Sequence, residues 1–251
     1  MKQTLLLTQR ALREARRSPD ALAPTLLIPL FFLVVNVGQA GKIFPGKSTP
    51  FLHGQSYAGF QLPSSLLLAG SFGGAALFLV EDIEKGYFDR LRAATLSRVA
   101  IVMSRLLAES VKALVLTTVM IGISLLFGVR IATGAGGFVL LLLLTSAWAV
   151  VYAGFMQLIA LKTRSSAATQ SGGLVFFPLL FLTPSFAPRN MLTRPMEVAA
   201  SCNPVTYIME GMRTLVLGGG EWHRVALAFG VVAATGTLML ALNVRLVRNY
   251  D

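Results

Sequence analysis

Six runs in this sequence are apolar over about 18 residues or more: 21–38, 62–80, 106–127, 135–161, 169–187 and 225–244. A helix rises ~1.5 Å per residue, so each run can cross a hydrocarbon layer ~30 Å thick. Water is absent from that layer, and backbone N–H and C=O groups must find partners within the segment itself. The runs therefore read as six transmembrane helices, and the fold class as an all-α membrane protein. Hydrophobic residues make up 55% of the 251 and charged residues 13%, where soluble domains carry about 25% charged. The chain reads as a single transmembrane domain over 1–251, with no soluble domain beside it. Its longest run, 135–161, needs tilt to fit. Pro24, Pro29 and Pro178 fall inside runs, which membrane helices tolerate. Gly70, Ser71, Gly73 and Gly74 in the second run allow close helix packing.

Basic residues orient the bundle. If both termini are cytoplasmic, segments 1–20, 81–105, 162–168 and 245–251 hold 14 Lys and Arg among 59 residues. The opposite segments, 39–61, 128–134 and 188–224, hold 7 among 67. That asymmetry follows the positive-inside rule. The same rule accounts for the net charge of +11: basic loops fix topology and meet anionic membrane lipids, and no nucleic-acid partner is expected. VGQA at 37–40 resembles a signal cleavage site, but the apolar run before it is longer than a signal peptide's, so the first span is expected to stay. Arg outnumbers Lys sixteen to six, a bias of GC-rich bacterial genomes. The expected location is a bacterial cytoplasmic membrane, crossed several times.

Residues 41–48, GKIFPGKS, satisfy the phosphate-loop pattern G-x-x-x-x-G-K-[ST]. A working phosphate loop needs a buried strand before it and a helix N-terminus after it. Here a membrane helix precedes and TPFLHGQS follows, on the side away from the cytoplasm. The match is read as chance. Ser171-Gly172-Gly173 echoes an ATPase signature but lies inside the fifth span, where small residues serve packing. Cys202 is the single cysteine, and His53 and His223 are the only histidines, so no metal cluster is expected. No H-E-x-x-H or G-x-S-x-G motif occurs, so no enzymatic residues are assigned. Only Glu109 and Lys112 are ionisable well within a span, three apart and spaced to pair. A carrier coupled to protons or sodium ordinarily places acids near mid-membrane.

Three extramembrane segments carry more information. Residues 2–18 read as an amphipathic interfacial helix, with Arg10, Arg13, Arg16 and Arg17 on one face and Leu5, Leu7, Leu12 and Ala15 opposite. Residues 81–105 mix Glu81, Asp82, Glu84 and Asp89 with Lys85, Arg90, Arg92, Arg98 and Arg105, divided by Gly86. Dense charge of both signs suits docking in a groove of another protein. Residues 195–217 are apolar but interrupted at Asn203-Pro204, as two short helices of a re-entrant hairpin before the last span would be. Glu210 and Arg213 are spaced to pair on its second helix.

These segments in this order resemble the permease subunits of type 2 ABC exporters, the daunorubicin-resistance-like family. In the cytoplasmic loop Glu81, Glu84, Gly86, Arg90, Leu91, Ser97 and Arg98 fit the family's acid-glycine-Arg-Leu stretch and the Ser-Arg turn after it. Thr95 stands where proline is usual. Asn203-Pro204-Val205-Thr206-Tyr207, with Glu210 and Arg213, resembles the family's N-P-x-x-Y…E-A-x-R segment, with Gly211 in place of alanine.

The resemblance implies a non-catalytic permease that pairs with a second permease, identical or related, above two ABC ATPase subunits. ATP and magnesium would sit on those partners, and this chain would bind no cofactor. Coupling to the ATPase would fall to Glu81, Glu84, Lys85, Gly86, Asp89, Arg90 and Arg98, assisted by residues 2–17. Asn203, Pro204, Tyr207, Glu210 and Arg213 would form an outer gate. Spans two and five would line the pathway, making Phe72, Phe78, Phe176, Phe177 and Phe181 candidate substrate contacts. The expected function is ATP-driven export of drugs, lipids or other amphipathic molecules. An ion-gradient-driven secondary carrier is the alternative.

Overall fold

A computed structural model describes residues 2–17, 19–72, 75–87 and 97–248. The described residues contain helices and no strand. Helix α1 (Lys2–Arg17) precedes α2 (Pro19–Ala40). The second expected span holds α3 (Tyr57–Ser71) and α4 (Ala75–Glu84). Next come α5 (Arg98–Leu126), α6 (Gly134–Thr163), α7 (Ser166–Gly173) and α8 (Phe176–Phe181). The hairpin segment forms α9 (Arg194–Cys202) and α10 (Pro204–Leu217), and α11 (Trp222–Arg248) closes the bundle. Gly73 and Gly74 lie outside the described residues.

Among the described residues five stretches are long and apolar enough to cross a membrane: Ala23–Ala40, Tyr57–Glu84, Val99–Leu126, Gly134–Thr163 and Trp222–Arg248. The sixth expected span, 169–187, is not one of them. Its residues form α7 and α8, an interrupted apolar stretch from Ser166 to Phe181, which at ~1.5 Å per residue falls short of a ~30 Å layer. The chain composition explains the break. Gly172 and Gly173 hold a helix poorly. Pro178 has no N–H to offer the Leu174 carbonyl. The amides of Leu174, Val175 and Phe177 each bond three residues back, to Ser171, Gly172 and Leu174, the tighter pattern of a 3₁₀ turn. Beyond Phe181 the residues 182–187 leave the helix altogether.

Aromatic packing organises the core around that break. Phe176 is 2% exposed, its ring 5.4 Å from that of Tyr152 and 6.0 Å from that of Trp148. The Tyr152 hydroxyl donates to the Gly173 carbonyl at 2.8 Å, giving a partner to an acceptor beside the interruption. The Trp148 indole donates to Ser71 Oγ at 2.8 Å, where α3 ends. Gly70 allows this approach, since a Cβ there would lie 3.2 Å from the Trp148 ring. Farther along α6, the Asn243 amide of α11 donates to the Gly154 carbonyl at 2.8 Å.

Close contact between α10 and α11 depends on Gly211. A Cβ at that position would lie 2.5 Å from Ala228 Cβ and 2.8 Å from the Arg224 carbonyl oxygen, and backbone atoms cannot swing aside. Gly211→Ala is therefore expected to destabilise the chain by about 1–3 kcal/mol, seen as a lower unfolding temperature in detergent. Gly122→Ala, on α5 with nothing within 4 Å of the new methyl, is the control and should leave that temperature unchanged or raise it.

Candidate functional site

Polar side chains gather at the two ends of the bundle. At one end α1 lies against α5, with Thr8 Oγ1 donating to the Ser104 carbonyl at 3.2 Å. There α4 terminates in the turn Lys85-Gly86, and Gly86 adopts φ +68°, a left-handed conformation that favours glycine after a helix. Asp82, 7% exposed, accepts from Arg105 of α5 and from Arg10 of α1. The Arg10 guanidinium also lies 4.1 Å from the Tyr87 ring centroid. Two residues on, Glu84 accepts from both the backbone N–H and the hydroxyl of Ser166, each at 2.7 Å. Lys85 and Glu81 pair at 3.0 Å on the surface, and that carboxylate raises the Lys85 pKa.

This arrangement modifies the expected docking loop. Residues 98–105 belong to α5 rather than to a connecting loop, and Asp89 and Arg90 lie outside the described residues. Arg98 is the first residue of α5. Glu81 and Lys85 engage each other, and Glu84 faces a neighbouring helix. Of the four arginines assigned to one basic face, Arg13, Arg16 and Arg17 are exposed. Arg10 instead turns inward, because Asp82 and Tyr87 sit beneath it. Glu109 and Lys112 pair at 2.8 Å as their spacing predicts, both largely buried.

The opposite end is built around Arg213. This side chain is 6% exposed and donates to three carbonyls: Phe60 at 3.1 Å, Pro184 at 2.6 Å and Ser185 at 3.0 Å. Its guanidinium carbon stacks 3.5 Å from the Phe60 ring centroid. Burial pushes the Arg213 pKa down to about 9, with Glu210 the chief opposing charge, so it remains a cation at neutral pH. Gln61 also donates to the Ser185 carbonyl, at 3.0 Å, and Tyr57 to that of Phe186, at 2.9 Å. Asn203 works in both directions. Its Oδ1 accepts from the Val205 N–H at the start of α10, and its Nδ2 donates to the Leu179 carbonyl at 2.6 Å. Pro204 occupies the first turn of α10, where its missing N–H costs nothing.

The expected Glu210–Arg213 pair does not form. Glu210 takes a two-bond clasp from Arg189, at 3.1 and 2.9 Å, and Arg189 stacks 5.1 Å from the Tyr207 ring centroid. Arg213 is drawn instead to the Pro184 and Ser185 carbonyls, which lie outside any helix, and to the Phe60 carbonyl on α3. Arg189, Tyr57 and Gln61 were not singled out by sequence; the i, i+4 spacing of Tyr57 and Gln61 ahead of a span was the available signal. A cleft of about 710 Å³ opens here, lined among others by His53, Tyr207, Glu210 and His223. Among the described residues no group of three His, Cys, Asp or Glu is placed to hold a metal ion.

The phenylalanines separate into two kinds. Phe176 is enclosed by this chain's own core. Phe72 and Phe177 meet edge to face at 6.0 Å and are partly exposed, as is Phe78, while Phe181 is 45% exposed. Residues 41–48 do not form a phosphate cradle. A helix precedes them, the N–H groups of Ser48 and Thr49 are taken by the Pro45 carbonyl at 3.1 Å each, and the next long helix waits until Tyr57.

The sequence model of the family described as ABC-2 type transporter matches residues 2–217. The chain is 25% identical over 250 residues to the daunorubicin resistance ABC transporter permease protein DrrB1 of Streptomyces coeruleorubidus, covering 99% of this chain and 87% of that one. It is 23% identical over 220 residues to the probable doxorubicin resistance ABC transporter permease protein DrrC of Mycobacterium tuberculosis, covering 86% and 78%. A putative transport permease, ycf38, of Porphyra purpurea is 27% identical over 231 residues, covering 86% and 74%.

Replacing Arg213 by Leu takes a donor from three carbonyls. Ser185 keeps Gln61 and Phe60 keeps its helix, but the Pro184 carbonyl loses its side-chain partner, at about 1–3 kcal/mol for a buried group left without one. Arg213→Leu is expected to abolish the folded, monodisperse chain in detergent. Arg213→Lys, which cannot spread three bonds as a planar fork does, should lower the unfolding temperature yet leave it measurable. Arg194→Leu, exposed at the surface, should change it little.

Proposed function

The chain belongs to the ABC-2 type transporter family, and we propose that it is the membrane subunit of an ATP-driven exporter powered by a separate ATPase. The relatives named for daunorubicin and doxorubicin resistance support amphipathic drugs as cargo, with lipids as a related class. In this reading the termini and the α1 end face the cytoplasm. A second permease, identical or related, completes the pathway within the cytoplasmic membrane. ATP and magnesium are bound by the ATPase and not by this chain.

One observation carries the proposal. At the α1 end, Asp82 and Glu84 tie α4 to α1, α5 and α7 just before the left-handed turn at Gly86. A force applied at that turn reaches four helices at once, which is what an external motor requires of its handle. Glu81, Lys85, Gly86, Asp89, Arg90 and Arg98 make up the motor-facing surface, and Arg13, Arg16 and Arg17 extend it and meet anionic lipid headgroups. Asn203, Pro204, Tyr207, Glu210 and Arg213 close the outer end. Phe72, Phe177 and Phe181 are the pathway contacts. Phe78 lies beside α1, and Phe176 acts through packing.

An ion-gradient carrier needs a membrane acid free to load and release its ion. Asp82 and Glu109 are instead held by Arg105 and Lys112, which favours the motor-driven reading. The test is reconstitution in vesicles with the ATPase that co-purifies, following daunorubicin. Transport should require ATP and the ATPase and withstand a proton uncoupler. Arg90→Glu should reduce drug moved per ATP by about tenfold, equivalent to ~1.4 kcal/mol of coupling. Uncoupler-sensitive transport by the chain alone would establish the carrier instead.

A further inference from the structure

We infer that Glu84 is a releasable latch between the Gly86 reversal and the interrupted helix α7–α8, rather than a contact for the motor. The inference rests on the chain being a motor-driven subunit, and it changes what Glu84 does there. Both donors of Ser166 are spent on its carboxylate, at 2.7 Å each. Ser166 is the first residue of α7, and Ser165 before it caps the Ala168 N–H with its own hydroxyl. A carboxylate at this helix start is held by the dipole as well as by the two bonds.

Asp82 and Glu84 lie within one turn of α4, yet their settings differ. Asp82 is buried against Arg105, with the half-exposed Arg10 beside it, and parting Asp82 from Arg105 would strand both charges away from water. It is the permanent anchor of α4 to α1 and α5. Glu84 is exposed and bonded to neutral donors; water can replace those donors at little cost, so this attachment opens and closes. When the reversal moves, α4 keeps its hold on α1 and α5 and lets go of α7.

What α7 then does follows from its connections. Gly172 faces the Ile159 side chain of α6, and Tyr152 of the same helix holds the Gly173 carbonyl. Past that fulcrum come α8 and the 182–187 turn that Arg213, Gln61 and Tyr57 grip. Release at Ser166 frees the short arm of a lever whose long arm ends at the opposite face of the bundle.

The test separates latch from docking contact. Ser166→Pro removes both donors yet suits the first position of a helix, and Ser165, at φ −134° and ψ 126°, already has the extended backbone that a residue before proline prefers. Glu84→Ala removes the acceptor. With the co-purified ATPase and daunorubicin in vesicles, each variant should lower drug moved per ATP by about tenfold. ATPase should be retained at wild-type stoichiometry, and the double variant should be no worse than either single one. Loss of the ATPase from Glu84→Ala with Ser166→Pro unaffected, or additive losses, would overturn the inference. Amide exchange in the full chain in detergent checks the latch without any transport. Thr169 and Gln170 should exchange about tenfold faster in Glu84→Ala, and unchanged exchange would also overturn it. If the wild type shows no ATP-driven transport while this exchange difference persists, the proposed function has failed and the contact has not.

Discussion

Backbone carbonyls that leave a helix inside an apolar bundle need donors, and Arg213 supplies them. Its planar guanidinium reaches the Pro184 and Ser185 carbonyls beyond α8 and, in the same fork, the Phe60 carbonyl on α3. Gln61, Tyr57 and Asn203 serve the neighbouring acceptors. The chain can therefore break its fifth apolar run without leaving polar groups orphaned, and the break gives α7 and α8 a junction that a continuous helix would lack. Asn203 and Arg213, the two ends of the hairpin motif, both serve that requirement.

The opposite end is held by a different economy of charge. Asp82 and Arg105 form a buried pair in which removal of one member strands the other, with the half-exposed Arg10 added from α1, whereas Glu81–Lys85 is exposed and worth little by itself. Stiffness is thus concentrated between α1, α4 and α5, and compliance between α4 and α7. A bundle driven from outside needs both, since a uniformly rigid one could not change packing and a uniformly soft one would dissipate the stroke.

The membrane class and the five long helices were legible because hydropathy and length are properties of a single segment. So was the pairing of Glu109 with Lys112, which lie on one helix, and the helix boundary at Asn203-Pro204. The interruption of 169–187 was not legible by hydropathy, since Gly172, Gly173 and Phe176 are as apolar in a turn as in a span. Glu210 illustrates the other limit. Its spacing pointed to Arg213, but Arg189 claims it from 21 residues away, and local spacing carries no information about a competitor brought in by the fold. Likewise GKIFPGKS matched a pattern whose physical content lies in the strand and helix around it, and those are missing. The roles proposed for Glu81, Lys85 and Arg98 rest on contact with a second protein.

The grip on residues 179–186 also imposes an order on biogenesis. Tyr57 and Gln61 are made before the acceptors they serve, but Asn203 follows Leu179 by 24 residues and Arg213 follows Pro184 by 29. Until then the Pro184 and Leu179 carbonyls lack their final partners, so the loop after α8 reaches its finished hydrogen bonding only once the chain through Arg213 has been made.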